Sequence, residues 1–196
     1  MKTTAVVAAG LVALTCVGCA SPGEHYYSLV PGPVAAVPVA AAPTRILVVE
    51  PAIVPEAQDR PQLVVGVAPG QIRVLEQERW IQPLPEDLQR ALAQALAAAL
   101  PDVGIRLAGD HAIAAGAWRL YVQVRRFDLS MEQGARLDAH WSILGPDRAT
   151  LREGDFTRVV AASGARGYAA LVQAQSVAAG ELAAQLGAAI SALPAP

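Results

Sequence analysis

Cysteine is nearly missing from this chain, and the only two copies stand at positions 16 and 19. Everything beyond Cys19 therefore has neither a disulfide nor a thiol nucleophile. Lysine is scarcer still, since every basic residue after Lys2 is an arginine. Together with the abundant alanine, this reads as the imprint of a GC-rich genome. A net charge of −2 lacks the basic footprint that a nucleic-acid partner demands, which sets that class aside. Hydrophobic residues make up 54% of the chain and mean hydropathy is +0.36, yet much of that excess is alanine, which adds helix propensity and little burial. Catalytic signatures are also missing. There is no Gly-x-Ser-x-Gly elbow, phosphate-binding Walker loop or dinucleotide fingerprint. His25, His111 and His140 lie too far apart for a helical metal pair, and Glu76 and Glu78 before Arg79 read as surface charge. The expectation is a protein that is not an enzyme and needs no metal or cofactor.

What is present begins with a leader. Met1 to Thr4 carries one positive charge, Ala5 to Leu14 is uncharged and apolar, and small residues lead to Val17-Gly18-Cys19. A spanning helix needs about 20 apolar residues. Pro22 and Gly23 stop this stretch short, so residues 1–18 read as a secretory signal peptide. Gly18 directly before Cys19 resembles a bacterial lipobox, although Cys16 occupies the position usually held by leucine. Cys19 is thus the expected lipid-attachment residue, and acyl chains at roughly 0.8 kcal/mol per buried CH₂ would hold it essentially permanently. Ala20 and Ser21 follow without an acidic retention signal, so the outer membrane, on its periplasmic face, is the expected location.

From residue 19 to 44, prolines at 22, 31, 33, 38 and 43 predict an extended, semi-rigid tether. Within it Tyr26-Tyr27-Ser28-Leu29 has strand character, and one tyrosine is expected to pack inward and pin the tether to the edge of the domain. Residues 45–196 are expected to form one α+β domain. Its predicted strands are Arg45 to Val49, Gln62 to Val67, Ile72 to Leu75, a short Ile105 to Leu107, Trp118 to Asp128, Leu137 to Leu144 and Leu151 to Ala161. Pro69-Gly70 predicts a hairpin between the second and third of these. Leu84, Leu88, Leu92, Leu96 and Leu100 recur every four residues and predict a helix opened by Pro85, Glu86 and Asp87. A second helix is expected from Gly167 to Leu193, buried through Leu171, Ala178, Leu182, Leu186, Ile190 and Leu193, with Gln175 and Glu181 off that side. Short connections predict an antiparallel β-sheet with both amphipathic helices packed on one face.

Several stretches, taken in order, carry a family resemblance. Cys19 followed by Tyr26-Tyr27-Ser28-Leu29 resembles the opening of the PqiC-like (YmbA-like) lipoproteins, the ABC-type transport auxiliary lipoprotein family. Asp59-Arg60-Pro61-Gln62-Leu63-Val64 and Arg79-Trp80-Ile81-Gln82-Pro83-Leu84 are similar to its two most recognisable stretches, with Ile81 where alanine is commoner. Val124 to Asp128, Leu137 to Trp141 and Tyr168 to Val172 continue the likeness. The resemblance implies a non-enzymatic auxiliary component of an MCE-type lipid transport system that contributes to membrane integrity. Its partners would be an MCE-domain protein forming a periplasmic tunnel and that protein's inner-membrane partner. A homo-oligomeric ring at the outer membrane is compatible with it. The second reading is a lipoprotein that stabilises an outer-membrane or cell-wall assembly without handling lipid. Asp59, Arg60, Pro61, Gln62, Arg79 and Trp80 are the candidate partner-binding residues. The alternative for them is a structural loop in which Arg60 pairs with Asp59 or caps carbonyls, with Trp80 as core filler. Arg125 and Arg126 are adjacent on a strand and cannot both face the same side, so at most one is expected to be buried. The leader makes one direct prediction: Cys19→Ala moves the protein from the membrane to the soluble fraction, and unchanged retention on fractionation counts against the anchor.

Overall fold

The computed structural model describes residues 23–30, 43, 45–110, 116–162 and 167–194. Cys19, His111 and most of the proline-rich stretch lie outside them. Among the described residues eight strands and two helices follow in the order β1 (His25–Tyr27), β2 (Arg45–Val49), β3 (Gln62–Ala68), β4 (Gln71–Trp80), α1 (Leu84–Ala99), β5 (Val103–Leu107), β6 (Trp118–Ser130), β7 (Gly134–Leu144), β8 (Thr150–Val160) and α2 (Tyr168–Ser191). The expected elements are all there, with β4, β5, β6 and β7 longer than predicted and β1 placed at His25–Tyr27. No described helix is long and apolar enough to cross a membrane.

β6 is the spine of the sheet. One of its edges carries β7 along nearly the whole length, and β8 follows on β7, both antiparallel. Its other edge is shared end to end. β2 pairs there from Leu47↔Trp118 to Val49↔Leu120, Ile53 bridges to Gln123, and β3 joins at Gly66↔Ser130. The sheet therefore divides into a β2–β5 wing and a β3–β4–β1 wing. The pairings β1–β4, β2–β5, β2–β6 and β3–β6 are parallel, so the sheet is mixed and not purely antiparallel as expected. The reason is that connection length reports only on neighbours in sequence. Parallel pairs need a crossover, and α1, placed between β4 and β5, supplies one.

Alternation then decides the faces. Along β6, Trp118, Leu120, Val122 and Val124 are buried, while Tyr121 and Gln123 point to solvent. Both helices cover the buried face, and one continuous apolar cluster joins them to the sheet. All five leucines of the α1 stripe are buried, as are the six residues expected on the inner side of α2. Gln175 departs from the expectation. It is fully buried, and neither of its amide atoms has a hydrogen-bond partner among the described residues. Gln175 stands four residues after Leu171, seven before Leu182 and eleven before Leu186. At 3.6 residues per turn it lies on the apolar stripe itself and not off it, and the packing of that stripe buries it.

Two glycines set the sheet's turns. Gly70 at φ 73° closes the β3–β4 hairpin, and Gly134 at φ 83° opens β7. A Cβ at Gly134 would stand 2.2 Å from the Val160 carbonyl oxygen, so no other residue fits there.

The N-terminal segment is part of the fold. β1 forms the edge of its wing against β4, Tyr27 packs against the core, and Leu29 is buried. The segment thus pins itself to the domain edge as expected, and any spacer from Cys19 to the sheet shortens to residues 20–24. Asp87, on the first turns of α1, holds the segment in place. Its buried carboxylate accepts from the Ser28 hydroxyl at 2.8 Å, the Leu29 N–H at 2.7 Å and the Gln82 amide. Asp87→Ala removes all three acceptor contacts and leaves a buried N–H unpaired, a loss of roughly 2–4 kcal/mol. Urea denaturation of the domain is expected to show that loss, with Asp87→Asn intermediate; an unchanged midpoint would refute this role.

Candidate functional site

The two most recognisable stretches, far apart in sequence, meet across the β3–β4 pair. Gln62 stands opposite Arg79, and the Trp80 N–H donates to the Pro61 carbonyl at 2.7 Å. β1 lies along the other side of β4, with His25↔Glu78, Tyr26↔Arg79 and Tyr27↔Trp80 in register. The pairing of Gln62 with Arg79 follows from the Pro69-Gly70 turn, which returns β4 along β3 with a register shift next to Gln62.

The polar side chains form a chain of contacts along this edge. Arg79 donates to Glu24 at 3.1 Å, and the Gln62 amide donates to Glu76 at 3.2 Å. The Tyr27 hydroxyl donates to Glu78 Oε2 at 2.5 Å, and His25 Nδ1 lies 3.0 Å from Glu78 Oε1. Glu78 is only 14% exposed, so the reading of it as plain surface charge is corrected: it ties β1 to β4. Trp80 is buried and meets the edge of Phe127 at 6.0 Å, with ring planes at 74°. It is core, as its structural reading held.

Asp59 and Arg60 behave differently. Both are exposed, on a turn built by backbone bonds such as Gln58 N–H to Pro55 O at 2.8 Å and Arg60 N–H to Gln58 O at 2.9 Å. Among the described residues neither side chain has an ion-pair or hydrogen-bond partner, so Arg60 makes neither of the structural contacts proposed for it. Pro61 is exposed beside them. The structure therefore unites Arg60, Pro61, Gln62, Arg79 and Trp80 at one place, with an accessible part and a structural part.

Neither Arg125 nor Arg126 is buried, in keeping with the expectation of at most one. A register shift between Val124 and Arg126, however, inserts a bulge that leaves both exposed between buried Val124 and Phe127, so the two do not alternate as expected. Arg125 and His140 both reach Asp155 at 3.0 and 3.1 Å, and Arg126 pairs with Asp128. The outer face of the sheet is thus a lattice of solvated charge pairs. Among the described residues no three His, Cys, Asp or Glu side chains are grouped to hold a metal. Sequence reasoning missed Asp87 as an organiser of the site. Its position at a helix start was visible, but two of its three partners, Ser28 and Leu29, lie about sixty residues away in the chain.

The chain matches the model of the ABC-type transport auxiliary lipoprotein component family over residues 27–187, and it belongs to that family. No curated protein matches it. Solved structures share the fold. A crystal structure of an uncharacterised protein superposes with a TM-score of 0.72 at 18% identity, covering 86% of this chain and 99% of that one. A DUF330 protein of Xanthomonas campestris, XCC0632, gives a TM-score of 0.62 at 21% identity, covering 83% and 92%. The dodecameric PelC of Paraburkholderia phytofirmans is more distant, with a TM-score of 0.46, 15% identity and coverage of 76% and 89%.

The edge cluster is testable by titration. Burial, then the hydrogen bond to Glu78 and its charge, push the Tyr27 phenol from 10.0 up to about 12. A raised folded pKa means that its stabilising effect is intact below pH 10 and is lost as pH rises toward 12. Difference absorbance of phenolate between the native protein and Tyr27→Phe should show this late titration. Glu78→Gln should bring it part of the way back, because burial remains. A Tyr27 that ionises with free tyrosine would contradict the geometry.

Proposed function

We propose that this chain is the outer-membrane lipoprotein of an MCE-type lipid transport system, acting without catalysis as the adaptor at the outer-membrane end of a periplasmic conduit. The family match across residues 27–187 carries this reading. The physical need is clear: lipid tails exposed to water cost roughly 25 cal/mol per Å² of apolar surface, and a continuous protein path avoids that cost.

The geometry supports an adaptor and not a lipid carrier. The interior is filled by one packed cluster, and the main concavities among the described residues are open surface grooves. The accessible feature best suited to recognition is the turn at Asp59, Arg60 and Pro61, backed by Gln62, Arg79 and the buried Trp80. A charged, accessible turn on a rigid base suits contact with a partner protein. The conduit's tip would dock there, while acyl chains on Cys19 hold the domain at the outer membrane, and the whole would help maintain membrane integrity.

A photoreactive residue at Arg60 should crosslink in living cells to an MCE-domain protein, whereas the same residue at Arg106 on the β5 edge should not. Failure to recover an MCE-domain protein from either position would overturn the transport reading. Recovery of cell-wall or outer-membrane proteins instead would favour a stabilising lipoprotein that handles no lipid.

A further inference from the structure

The β3–β4 hairpin overhangs the end of the sheet. β3 meets β6 only at Gly66↔Ser130, where β6 stops, so residues 67–72 project past it. Every residue from Val67 to Arg73 is exposed, and Val67 and Ile72 are 41% and 61% exposed. Beside them, on the β6–β7 turn, Met131 is 58% exposed. From Leu63 to Leu75 the sole charge is Arg73, and Glu132 is the one acid on the neighbouring turn. The opposite end of the sheet is built differently. The β7–β8 connection is also fully exposed from Pro146 to Glu153, but around its single large apolar residue, Leu151, it carries Asp147, Arg148, Arg152 and Glu153. One end is dressed for water and the other is not.

The path of the chain says what covers the apolar end. β1 runs parallel to β4 with His25 opposite Glu78, so the chain before His25 heads toward the start of β4, which is the hairpin tip. Continuing that register would place Gly23 level with Glu76 and residue 19 level with Ile72. The reach agrees: residues 19 to 23 can extend at most about 14 Å, and Glu76 to Ile72 along β4 is about 13 Å. That length is enough for Cys19 to come level with the tip.

We infer that the β3–β4 hairpin, with Val67, Ile72 and Met131, is a second membrane contact that seats this end of the domain on the bilayer carrying the Cys19 lipid. The inference rests on the reading of Cys19 as acylated. The short reach denies the domain a free stalk, and an anchored bilayer places headgroups and upper acyl carbons against whatever surrounds the anchor. Val67, Ile72 and Met131 supply apolar side chains for that layer, while Arg73 stands where it can reach lipid phosphates. The β7–β8 end then points into the periplasm.

The test couples the thiol of the mature chain, residues 19–196, to a maleimide-headgroup lipid. The vesicles contain phosphatidylethanolamine, phosphatidylglycerol and phosphatidylcholine brominated on its acyl chains. Tryptophan is introduced in separate variants as Ile72→Trp, Met131→Trp or Ala149→Trp, and the signal of the parent chain, whose three tryptophans are buried, is subtracted. The added fluorescence of Ile72→Trp and Met131→Trp is expected to be lost to bromine quenching, and that of Ala149→Trp kept. Equal quenching at all three positions, quenching confined to residue 149, or none at residues 72 and 131 overturns the inference, the last indicating a protein partner or a second copy at the tip. Because the lipid is attached chemically, the result does not depend on whether cells acylate Cys19. Mass spectrometry of the processed N-terminus decides that separately.

Discussion

A carboxylate taken out of water must be met by donors, and Asp87 is met by Ser28, Leu29 and Gln82. That one buried group joins three things: the segment after β1, the turn after β4 and the start of α1. With Leu29 seated under it, β1 is held at the edge of the sheet, and Tyr27 and Glu78 close the join from the other side. The direction in which β1 runs along β4 follows from this. So does the local frame in which Arg79 and Trp80 sit beside Pro61 and Gln62.

The sheet's architecture separates packing from recognition. Its inner face and the two helices form one continuous apolar cluster. Its outer face carries paired charges, among them Arg125 and His140 on Asp155 and Arg136 on Asp138. Such pairs contribute little to stability in water, so they serve solubility more than folding. What remains for specific contact is at the margins: the Asp59–Pro61 turn beside the β3–β4 wing and the apolar hairpin at its tip. These lie at opposite ends of the same two strands. A short rigid hairpin thereby connects a surface suited to a protein with a surface suited to lipid, which is a sensible geometry for a transport auxiliary lipoprotein.

Where side chains repeat with a period, the linear sequence was sufficient. The leucines of α1 recur every four residues, and each is buried because an α-helix returns them to one face. The alternation of β6 likewise told inside from outside, up to the bulge at Arg125, where one extra residue reset the phase. Pro69-Gly70 marked its hairpin because the turn's backbone geometry is local. The family motifs were also legible, as was their order along the chain.

Tertiary structure alone decided what depends on distant partners. It made the sheet mixed, because parallel pairs such as β2–β5 and β1–β4 join segments with no short connection to reveal them. It turned Glu78 and Asp87 from ordinary acids into ties between distant segments. It also left Arg60 exposed and, among the described residues, without an ion-pair partner, when a local pairing with Asp59 had been available. Periodicity and turn chemistry are written within a few residues, whereas the burial and partners of a polar group are set by whatever the chain brings to it from far away.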